Sequence, residues 1–217
     1  ESNAVELTAS FYSYMLETYP AVRPFFNKSH QITKRQPKIL AFALIAYAKN
    51  IEDISPLMPF VRQIVEKHVG LQIVPEQYDI VGTSLLKTLK EMLGDEAATP
   101  EFMEAWKVAY YDLANALIGL EKARYDEELK IENAWLGFKE GKVDKVVEES
   151  DSVKSVYLKV DDEKYADFYP GQYVTIRLST DGGETVQSRE YSLSNEYTDL
   201  KDGLKYYRIS VRRIPGG

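Results

Sequence analysis

Apolar side chains recur at helical spacing through the first 130 residues. Residues 8–19 carry an apolar stripe that ends before Pro20, which predicts an amphipathic helix. The stripe consists of Phe11, Tyr12, Met15 and Leu16. Similar spacing predicts further helices over residues 39–50, 56–68, 75–94 and 102–129. Pro37 precedes the first of these helices, Gly70 is the predicted C-terminal cap of the second, and Thr99 is the predicted N-terminal cap of the last. We therefore expect residues 1–130 to form an all-α domain.

From residue 131 onward, apolar and polar residues alternate as they do in strands that are buried on one face. Turn sequences divide this part at Pro170-Gly171, Asp181-Gly182-Gly183 and Asp202-Gly203. The predicted strands are 143–147, 153–160, 172–178, 190–194 and 206–211. This spacing predicts a small antiparallel barrel or sandwich over residues 131–217, and we expect a barrel of so few strands to be incomplete.

Composition supports the same division and limits the possible functions. Alanine is concentrated in the first part and glycine in the second, which fits helices followed by strands and turns. The formal net charge is -7, so the chain is a poor candidate for binding nucleic acid or an anionic membrane surface. The chain contains no cysteine, which excludes disulfides, thiolate catalysis and cysteine-bound iron–sulfur clusters.

Nothing in the sequence predicts a membrane span. The longest strongly apolar run, Ile39 to Ala48, is too short to cross a bilayer. The first residues show no basic-then-apolar signal pattern. We therefore expect a cytoplasmic protein without a transmembrane segment.

The two histidines, His30 and His68, are too few for a multi-histidine metal site. His68 follows Val61, Ile64 and Val65 at helical spacing, so its ring is expected to face the apolar interior. Taken alone, a core histidine held by one hydrogen bond is the more common arrangement. The alternative is an axial ligand to haem, which needs one imidazole and a large apolar pocket.

Other residues of the helical part are open to a structural and a functional interpretation. Tyr12 is predicted to point inward, with a hydroxyl that needs a partner when buried. Gln36 and Leu40 are four residues apart and share one helix face, where either could be a packing residue. Glu121 lies among apolar neighbours on the last helix, and a glutamate there is by default solvated.

Two segments of the second part could contact a nucleotide. In Arg189-Glu190-Tyr191-Ser192, the arginine could clamp a pyrophosphate and the tyrosine could stack on a flat heterocycle. An ordinary strand edge is the more common explanation of such a segment. Gly216-Gly217 could begin a helix whose N-terminus binds phosphate, although two glycines alone are weak support.

Taken together, these stretches resemble the flavohaemoglobins, particularly those of the yeast type. The similarity covers nearly the whole chain, and its strings occur in the family's order. The most specific strings are Phe11-Tyr12, Phe26-Asn27, Tyr47-Ala48-Lys49-Asn50-Ile51, Lys67-His68, Gln72-Ile73-Val74-Pro75-Glu76-Gln77-Tyr78, Ile80-Val81-Gly82, Ala105-Trp106, Tyr169-Pro170-Gly171-Gln172-Tyr173 and Arg189-Glu190-Tyr191-Ser192-Leu193.

The resemblance implies a globin domain with haem b, then an FAD-binding barrel of the ferredoxin-reductase type, then an NAD(P)H-binding domain. The family's first globin helix, its last barrel strand and its nicotinamide domain have no counterpart in these residues. We therefore expect either a fragment or a naturally shortened member of a longer enzyme.

The same resemblance implies the roles of individual residues. His68 is the proximal haem ligand, and Tyr78 and Glu121 complete a hydrogen-bond network with it. Lys67 matches a lysine that tunes the haem potential. The implied distal pocket contains Tyr12, whose hydroxyl would bond dioxygen, together with Gln36, Leu40 and Phe26. The implied flavin-binding residues are Tyr173, Arg189, Glu190, Tyr191 and Ser192.

The reaction implied by the resemblance is nitric oxide dioxygenation. Nitric oxide and dioxygen are converted to nitrate at the haem, and FAD passes electrons singly from NAD(P)H. The alternative is a haem-binding oxygen carrier or sensor that has lost its reductase. A third hypothesis, a globin-shaped regulatory or structural protein without cofactor, is opposed by the retention of His68 and of a polar pocket.

Overall fold

A computed structural model of the chain describes residues 2–26, 28–179, 186–196, 199 and 203–213. The helices of this part are α1 Ser2–Thr18, α2 Lys28–Ile32, α3 Arg35–Lys49, α4 Met58–Leu71, α5 Pro75–Ala97 and α6 Pro100–Glu128, with 3₁₀ turns at Pro20–Phe25 and Ser55–Leu57. The strands are β1 Gly141–Ser150, β2 Val153–Val160, β3 Tyr173–Ser179, β4 Val186–Ser192 and β5 Tyr207–Arg212. Several predicted motif and turn residues lie outside the described residues: Asn27, Asp181-Gly182-Gly183, Asp202 and Gly216-Gly217.

Helices and strands fall into two compact units. The first contains residues 1–123 with 178–188, and the second contains residues 124–177 with 189–217. Helices followed by antiparallel strands are the predicted fold class, and this prediction is confirmed. The domain boundary that we place at residue 130 remains a prediction.

The core of the helical unit is built around α1. Phe11, Tyr12 and Met15 are buried together with Val22 and Leu85. These positions include most of the predicted apolar stripe, because residues three and four apart line one face of a helix. α1 packs against α3 and α5 through this face.

A buried hydrogen bond joins α1 to the first turn of α3. The Thr8 Oγ1 hydroxyl donates to the carbonyl oxygen of Pro37 at 2.8 Å, and both residues are buried. The helix begins at Arg35, two residues before the predicted opening at Pro37. Pro37 still lies in the first turn, where the missing N–H costs no intrahelical hydrogen bond. Gln36 and Leu40 are therefore carried on the first turns of α3.

The predicted C-terminal cap of α4 at Gly70 is wrong. The helix continues through Gly70, and Gln72 takes the left-handed conformation with φ 61° and ψ 45°. The Gln72 N–H donates to the Val69 carbonyl, and the Ile73 N–H donates to the His68 carbonyl, both at 3.0 Å. These two bonds form a Schellman motif, so hydrogen bonding rather than glycine sets the end of the helix.

The predicted limits of α5 and α6 are close to those observed. At the start of α5, the Val74 N–H donates to Oε1 of Gln77 at 2.9 Å. Gly94, with φ 73°, interrupts this helix at its predicted end. The Phe102 N–H donates to Thr99 Oγ1 at 3.2 Å, so Thr99 caps α6 as predicted. Among the described residues, no helix has the length and apolar character that crossing a bilayer requires.

The strands form one three-stranded antiparallel sheet and one two-stranded sheet. β2 pairs with β1 on one side and with β5 on the other. β3 and β4 form a separate pair, and an antiparallel bridge joins Leu193, just after β4, to Ile209 in β5. Within the described ranges these sheets do not close, which agrees with the predicted incomplete barrel.

The core of the second unit surrounds Tyr207. Its ring centroid lies 5.3 Å from that of Tyr165 and 6.3 Å from those of Phe168 and Trp135. The hydroxyl oxygen accepts from the Ala166 N–H at 2.7 Å and lies 3.0 Å from the Ala166 carbonyl, to which it donates. Burial raises the pKa of Tyr207 to about 12. The aromatic cluster is thereby tied to the loop before β3.

Candidate functional site

His68 lies in the last turn of α4. The inner face of this helix consists of the buried residues Val61, Val65 and Val69, and Ile64 lies one turn before His68 on the adjoining face. The Schellman motif uses the His68 carbonyl, so the backbone is fixed at this residue. About 30% of the His68 side chain is exposed. The ring, which we expect to face the apolar interior, is therefore half-buried.

The His68 ring is held by two residues from α5 and α6. Its Nδ1 lies 2.7 Å from Oε1 of Glu121 and 3.0 Å from the hydroxyl oxygen of Tyr78. The Tyr78 hydroxyl donates to the same Glu121 oxygen at 2.5 Å. Since the tyrosine proton is used in that bond, Nδ1–H is the donor to Glu121. This tautomer leaves Nε2 of His68 as the nitrogen that can bind a metal.

Glu121 is 3% exposed, so the default expectation of a solvated glutamate is wrong. A buried carboxylate requires hydrogen-bond donors, and His68 and Tyr78 supply two at Oε1. A carboxylate that accepts from a ligating imidazole fixes its tautomer and strengthens it as an electron donor. The structure thus brings together the three residues that the resemblance assigned to one network.

On α1, Tyr12 is almost fully buried. Its ring centroid lies 4.8 Å from that of Phe11 and, edge-on, 5.6 Å from that of Phe26. Burial raises the pKa of the Tyr12 hydroxyl, and a hydrogen bond with the Gln36 side chain opposes that shift. Tyr12 therefore keeps its proton at neutral pH and can act as a donor.

Gln36 is oriented by a residue that the sequence analysis missed. Gln31 Nε2 donates to Oε1 of Gln36 at 2.8 Å. With its oxygen engaged, Gln36 has its amide nitrogen left to donate to the Tyr12 oxygen, which agrees with the lowering effect on the Tyr12 pKa. Gln31 and Gln36 belong to different helices, and their spacing in the sequence gives no sign of this contact.

The residues near these polar groups fit a haem. Leu40 and Phe26 are half-buried and pack against the core cluster that contains Tyr12. One imidazole whose Nε2 can bind iron, together with apolar side chains such as Leu40 and Phe26, is the kind of donor set that holds haem b in globins. Lys67 is exposed beside His68, and its implied effect on the haem potential remains a prediction.

The implied flavin residues lie on β3 and β4. The Leu193 N–H donates to the Gln172 carbonyl at 3.0 Å, which brings the start of β3 beside the end of β4. Tyr173, the first residue of β3, is therefore close to the last residues of β4. Because side chains alternate along a strand, Arg189 and Tyr191 share one face and Glu190 and Ser192 share the other. The implied residues of β4 are thus divided between the two faces of the sheet.

The sequence also did not predict a contact beside the network of His68, Tyr78 and Glu121. The Tyr110 hydroxyl of α6 donates to the backbone carbonyl of Tyr78 at 2.6 Å. Its ring lies against Gly82 of α5. A glycine inside a helix indicates the close approach of another group, so Gly82 was the available signal.

Comparison with known proteins shows one similarity limited to the helical part and another that covers the whole chain. The globin family profile matches residues 9–117. A flavohemoprotein of Schizosaccharomyces pombe is 49% identical over 219 residues, which cover 100% of this chain and 49% of that protein. The chain spans about half the length of the curated relatives that it matches.

Among solved structures, one match also covers the whole chain and another covers a little more than half of it. The flavohemoglobin of Malassezia yamatoensis, determined with bound FAD and heme, matches with a TM-score of 0.81 and 27% identity, covering 100% of this chain and 54% of that one. A bacterial globin from Campylobacter jejuni matches with a TM-score of 0.53 and 43% identity, covering 58% of this chain and 88% of that one. The similarity therefore includes the helical part and continues through the strands.

Proposed function

This chain belongs to the globin family and is similar along its whole length to flavohemoproteins, and on that premise we propose that it binds haem b through His68 and takes part in nitric oxide dioxygenation. FAD and NAD(P)H are the proposed electron source, and dioxygen and nitric oxide the proposed substrates. The observation that carries the proposal is the 2.7 Å hydrogen bond between His68 Nδ1 and the buried Glu121. The proposed reaction is that of an oxidoreductase.

Bound haem would supply the iron at which dioxygen and nitric oxide combine to nitrate, and FAD would supply electrons one at a time. His68 would hold the iron through Nε2. Glu121 would keep the imidazole in the Nδ1–H tautomer and increase its electron donation. Tyr78 would hold Glu121 through the 2.5 Å hydrogen bond. These are the properties expected of a site that activates oxygen rather than one that only carries it.

On the opposite side, Tyr12 would donate a hydrogen bond to a small polar ligand. Gln36 donates to the Tyr12 oxygen, so the Tyr12 proton is directed to a further acceptor. Leu40 and Phe26 would exclude water from the pocket. A buried, protonated hydroxyl in such surroundings interacts more strongly with developing negative charge than one in water does.

For the strand-rich part, we propose that β3 and β4 contribute to the FAD site. Arg189 would pair with the pyrophosphate, and Tyr191, on the same face of β4, would stack against the flavin. The proposal also includes Tyr173, which begins β3 next to the end of β4, and Glu190 and Ser192, which lie on the opposite face of β4. Cytoplasmic location is also part of the proposal, to be tested by fractionation of cells that express the protein.

The oxygen-carrier or sensor alternative is not favoured, because the relatives that match the whole chain are flavohemoproteins. The two functions differ in what happens after oxygen binds. A dioxygenase consumes nitric oxide and forms nitrate in equal amounts, whereas a carrier releases its oxygen unchanged.

The test begins with haem binding by the purified chain. We expect the haem absorption band to shift on reduction and again with carbon monoxide. His68→Ala should abolish this spectrum, and His30→Ala serves as the matched control that should retain it. Haem binding by His68→Ala equal to that of the wild type would contradict the assignment of the ligand.

The second step measures the reaction itself. The reduced, haem-loaded protein is mixed with nitric oxide in oxygenated buffer, and nitrate is counted per haem. We expect one nitrate per haem in a single turnover. Tyr12→Phe should release dioxygen faster than the wild type, because a donor to the ligand is lost. An unchanged rate of dioxygen release would contradict the role proposed for Tyr12. The absence of nitrate would contradict the proposed reaction.

A further inference from the structure

The turn between α2 and α3 brings two glutamine side chains together. The Gln31 carbonyl accepts from the Lys34 N–H at 3.0 Å, and Lys34 takes the left-handed conformation with φ 54° and ψ 20°. This conformation is uncommon for residues other than glycine, and it turns the chain sharply between the two helices. Gln31 Nε2 then reaches Gln36 in the first turn of α3 and donates to its Oε1 at 2.8 Å. The oxygen of the Gln36 amide is thereby engaged on the α2 side.

The backbone beside Gln36 is attached to the helix that carries Tyr12. Thr8 Oγ1 donates to the carbonyl oxygen of Pro37, the residue after Gln36, at 2.8 Å. Thr8 and Tyr12 are four residues apart, so they lie on one face of α1, and both are buried. The first turn of α3 is therefore held on the same face of α1 as Tyr12. What Tyr12 then meets depends on the orientation of the Gln36 amide.

The two orientations of a glutamine amide have opposite consequences for a neighbouring hydroxyl. With its nitrogen toward Tyr12, Gln36 donates to the phenolic oxygen, and the Tyr12 proton is left for another acceptor. With its oxygen toward Tyr12, Gln36 accepts that proton, and no donor is left. The first orientation agrees with the bond from Gln31 to Oε1. It also agrees with the lowering effect of the Gln36 hydrogen bond on the pKa of Tyr12.

We propose that Gln31 is a positioning residue for the distal side of the site: its amide donor holds the nitrogen of Gln36 toward Tyr12, so that the Tyr12 O–H is directed to a bound ligand. Where the ligand is one of haem, this inference rests on the proposed function. The hydrogen bond of the Gln31 side chain goes to Gln36. Its effect on Tyr12 is therefore expected to pass through Gln36.

Three variants separate the orientation of the amide from the mere presence of a side chain. Gln31→Met keeps a side chain of similar length but removes the donor. Gln31→Glu keeps the shape, and its carboxylate only accepts, so it should turn the nitrogen of Gln36 toward itself and the oxygen toward Tyr12. Gln63→Glu is the matched control, because it makes the same chemical change at an exposed glutamine of α4.

Two quantities are measured on the reduced, haem-loaded protein: the rate of dioxygen release and the C–O stretching band of bound carbon monoxide. We expect Gln31→Glu to speed dioxygen release by about 10-fold, toward the rate of Tyr12→Phe, because the ligand loses its donor. Gln31→Met should cause a smaller increase, since both amide orientations become populated. The C–O band should move to higher frequency in the same order, because hydrogen bonding to the ligand lowers it. Gln63→Glu should match the wild type in both quantities.

The intermediate role of Gln36 is tested in a Gln36→Leu background. There, Gln31→Glu should change neither quantity, because the amide that it turns is absent. An effect of full size in that background would overturn the proposal, since the added charge alone would then be responsible. Wild-type values in Gln31→Glu would also overturn it, as would a larger effect of Gln31→Met than of Gln31→Glu.

Failure of the proposed function gives a different result. If the wild-type chain does not bind haem, the orientation of Gln36 is followed in the apoprotein by the nuclear Overhauser contact between its NH₂ protons and the Tyr12 ring. This contact should be lost in Gln31→Glu and kept in Gln63→Glu, and an unchanged contact in Gln31→Glu would overturn the inference. Should Gln31→Glu not fold, the contact should weaken in Gln31→Met, and its full retention there would overturn the inference equally.

Discussion

His68 and Glu121 are 53 residues apart in the chain, yet His68 Nδ1 and Glu121 Oε1 lie 2.7 Å apart. α4 supplies the imidazole, α6 supplies the carboxylate, and Tyr78 of α5 donates to the same oxygen. Three helices therefore meet at one carboxylate oxygen. Any change at Glu121 is expected to affect both the chemistry of His68 and the packing of these helices.

Glu121→Gln should lower the iron–histidine stretching frequency of the haem-loaded protein. A neutral amide is a weaker acceptor than a carboxylate, so the imidazole donates less electron density to the iron. The band is measured by resonance Raman spectroscopy of the reduced protein. Glu104→Gln on the same helix is the control, since Glu104 is exposed and forms a surface ion pair with Lys107 at 3.6 Å. An identical band in Glu121→Gln and the wild type would contradict the network.

The same variant should also destabilise the protein without haem. The buried hydrogen bonds from His68 and Tyr78 become weaker or lose their acceptor, which costs about 1–3 kcal/mol in the free energy of unfolding. Urea unfolding of the apoprotein measures this value. Glu104→Gln should change it by less than about 1 kcal/mol, as is usual for an exposed ion pair.

Tyr12 should make the stability of the apoprotein fall with pH above 10. Its pKa is raised in the folded state by burial, so between pH 10 and that higher value the unfolded chain loses a proton that the folded chain keeps. Stability from this group is fully present below pH 10 and is lost as pH rises. Tyr12→Phe should reduce the slope by up to about 1.4 kcal/mol per pH unit.

Unfolding free energies from urea titrations at successive pH values check this prediction. Between pH 7 and 9 the difference between wild type and Tyr12→Phe should stay constant, which provides the internal control. Parallel curves for the two proteins above pH 10 would show that the Tyr12 hydroxyl ionises alike in the folded and unfolded states.

Gly82→Ala should destabilise the helical unit. The added methyl group would overlap the Tyr110 ring at 2.5 Å, and overpacking of this kind costs about 1–3 kcal/mol. Gly119→Ala is the matched control, because no atom of the described residues lies within 4 Å of a Cβ atom at that position of α6. It should stabilise the protein by about 0.5–1 kcal/mol through helix propensity. Effects of the same sign in both variants would contradict the close contact.

Tyr207→Phe tests the core of the second unit. The substitution keeps the ring contacts but removes both hydrogen bonds to Ala166, which should cost about 1–3 kcal/mol. Unfolding is followed through the fluorescence of Trp135, which lies in ring contact with Tyr207. Tyr169→Phe, at an exposed tyrosine of the same unit, should leave the unfolding curve unchanged. A stable Tyr207→Phe variant would show that packing alone holds the cluster.

Local patterns in the sequence were sufficient for most of the fold. The apolar stripe of α1, the Thr99 cap of α6 and the order of strands follow from spacing, caps and turn residues. The error at Gly70 has a physical reason, because Gln72 ends α4 through a pair of backbone bonds that its residue type does not indicate. The contact between Gln31 and Gln36 was missed for the same kind of reason, since it joins two helices.

By itself, the sequence determined most of the segments that form helices and strands, although it predicted neither α2 nor the start of β4 at Val186. Its resemblance to a family assigned His68, Tyr78 and Glu121 to one network. Only the tertiary structure decided that Glu121 is buried and that the hydroxyl of Tyr110 holds the Tyr78 backbone. Periodicity describes which face of a helix is apolar, and it is a local property. Distances between side chains on different helices depend on how the helices pack, which the spacing of residues along one chain segment does not specify.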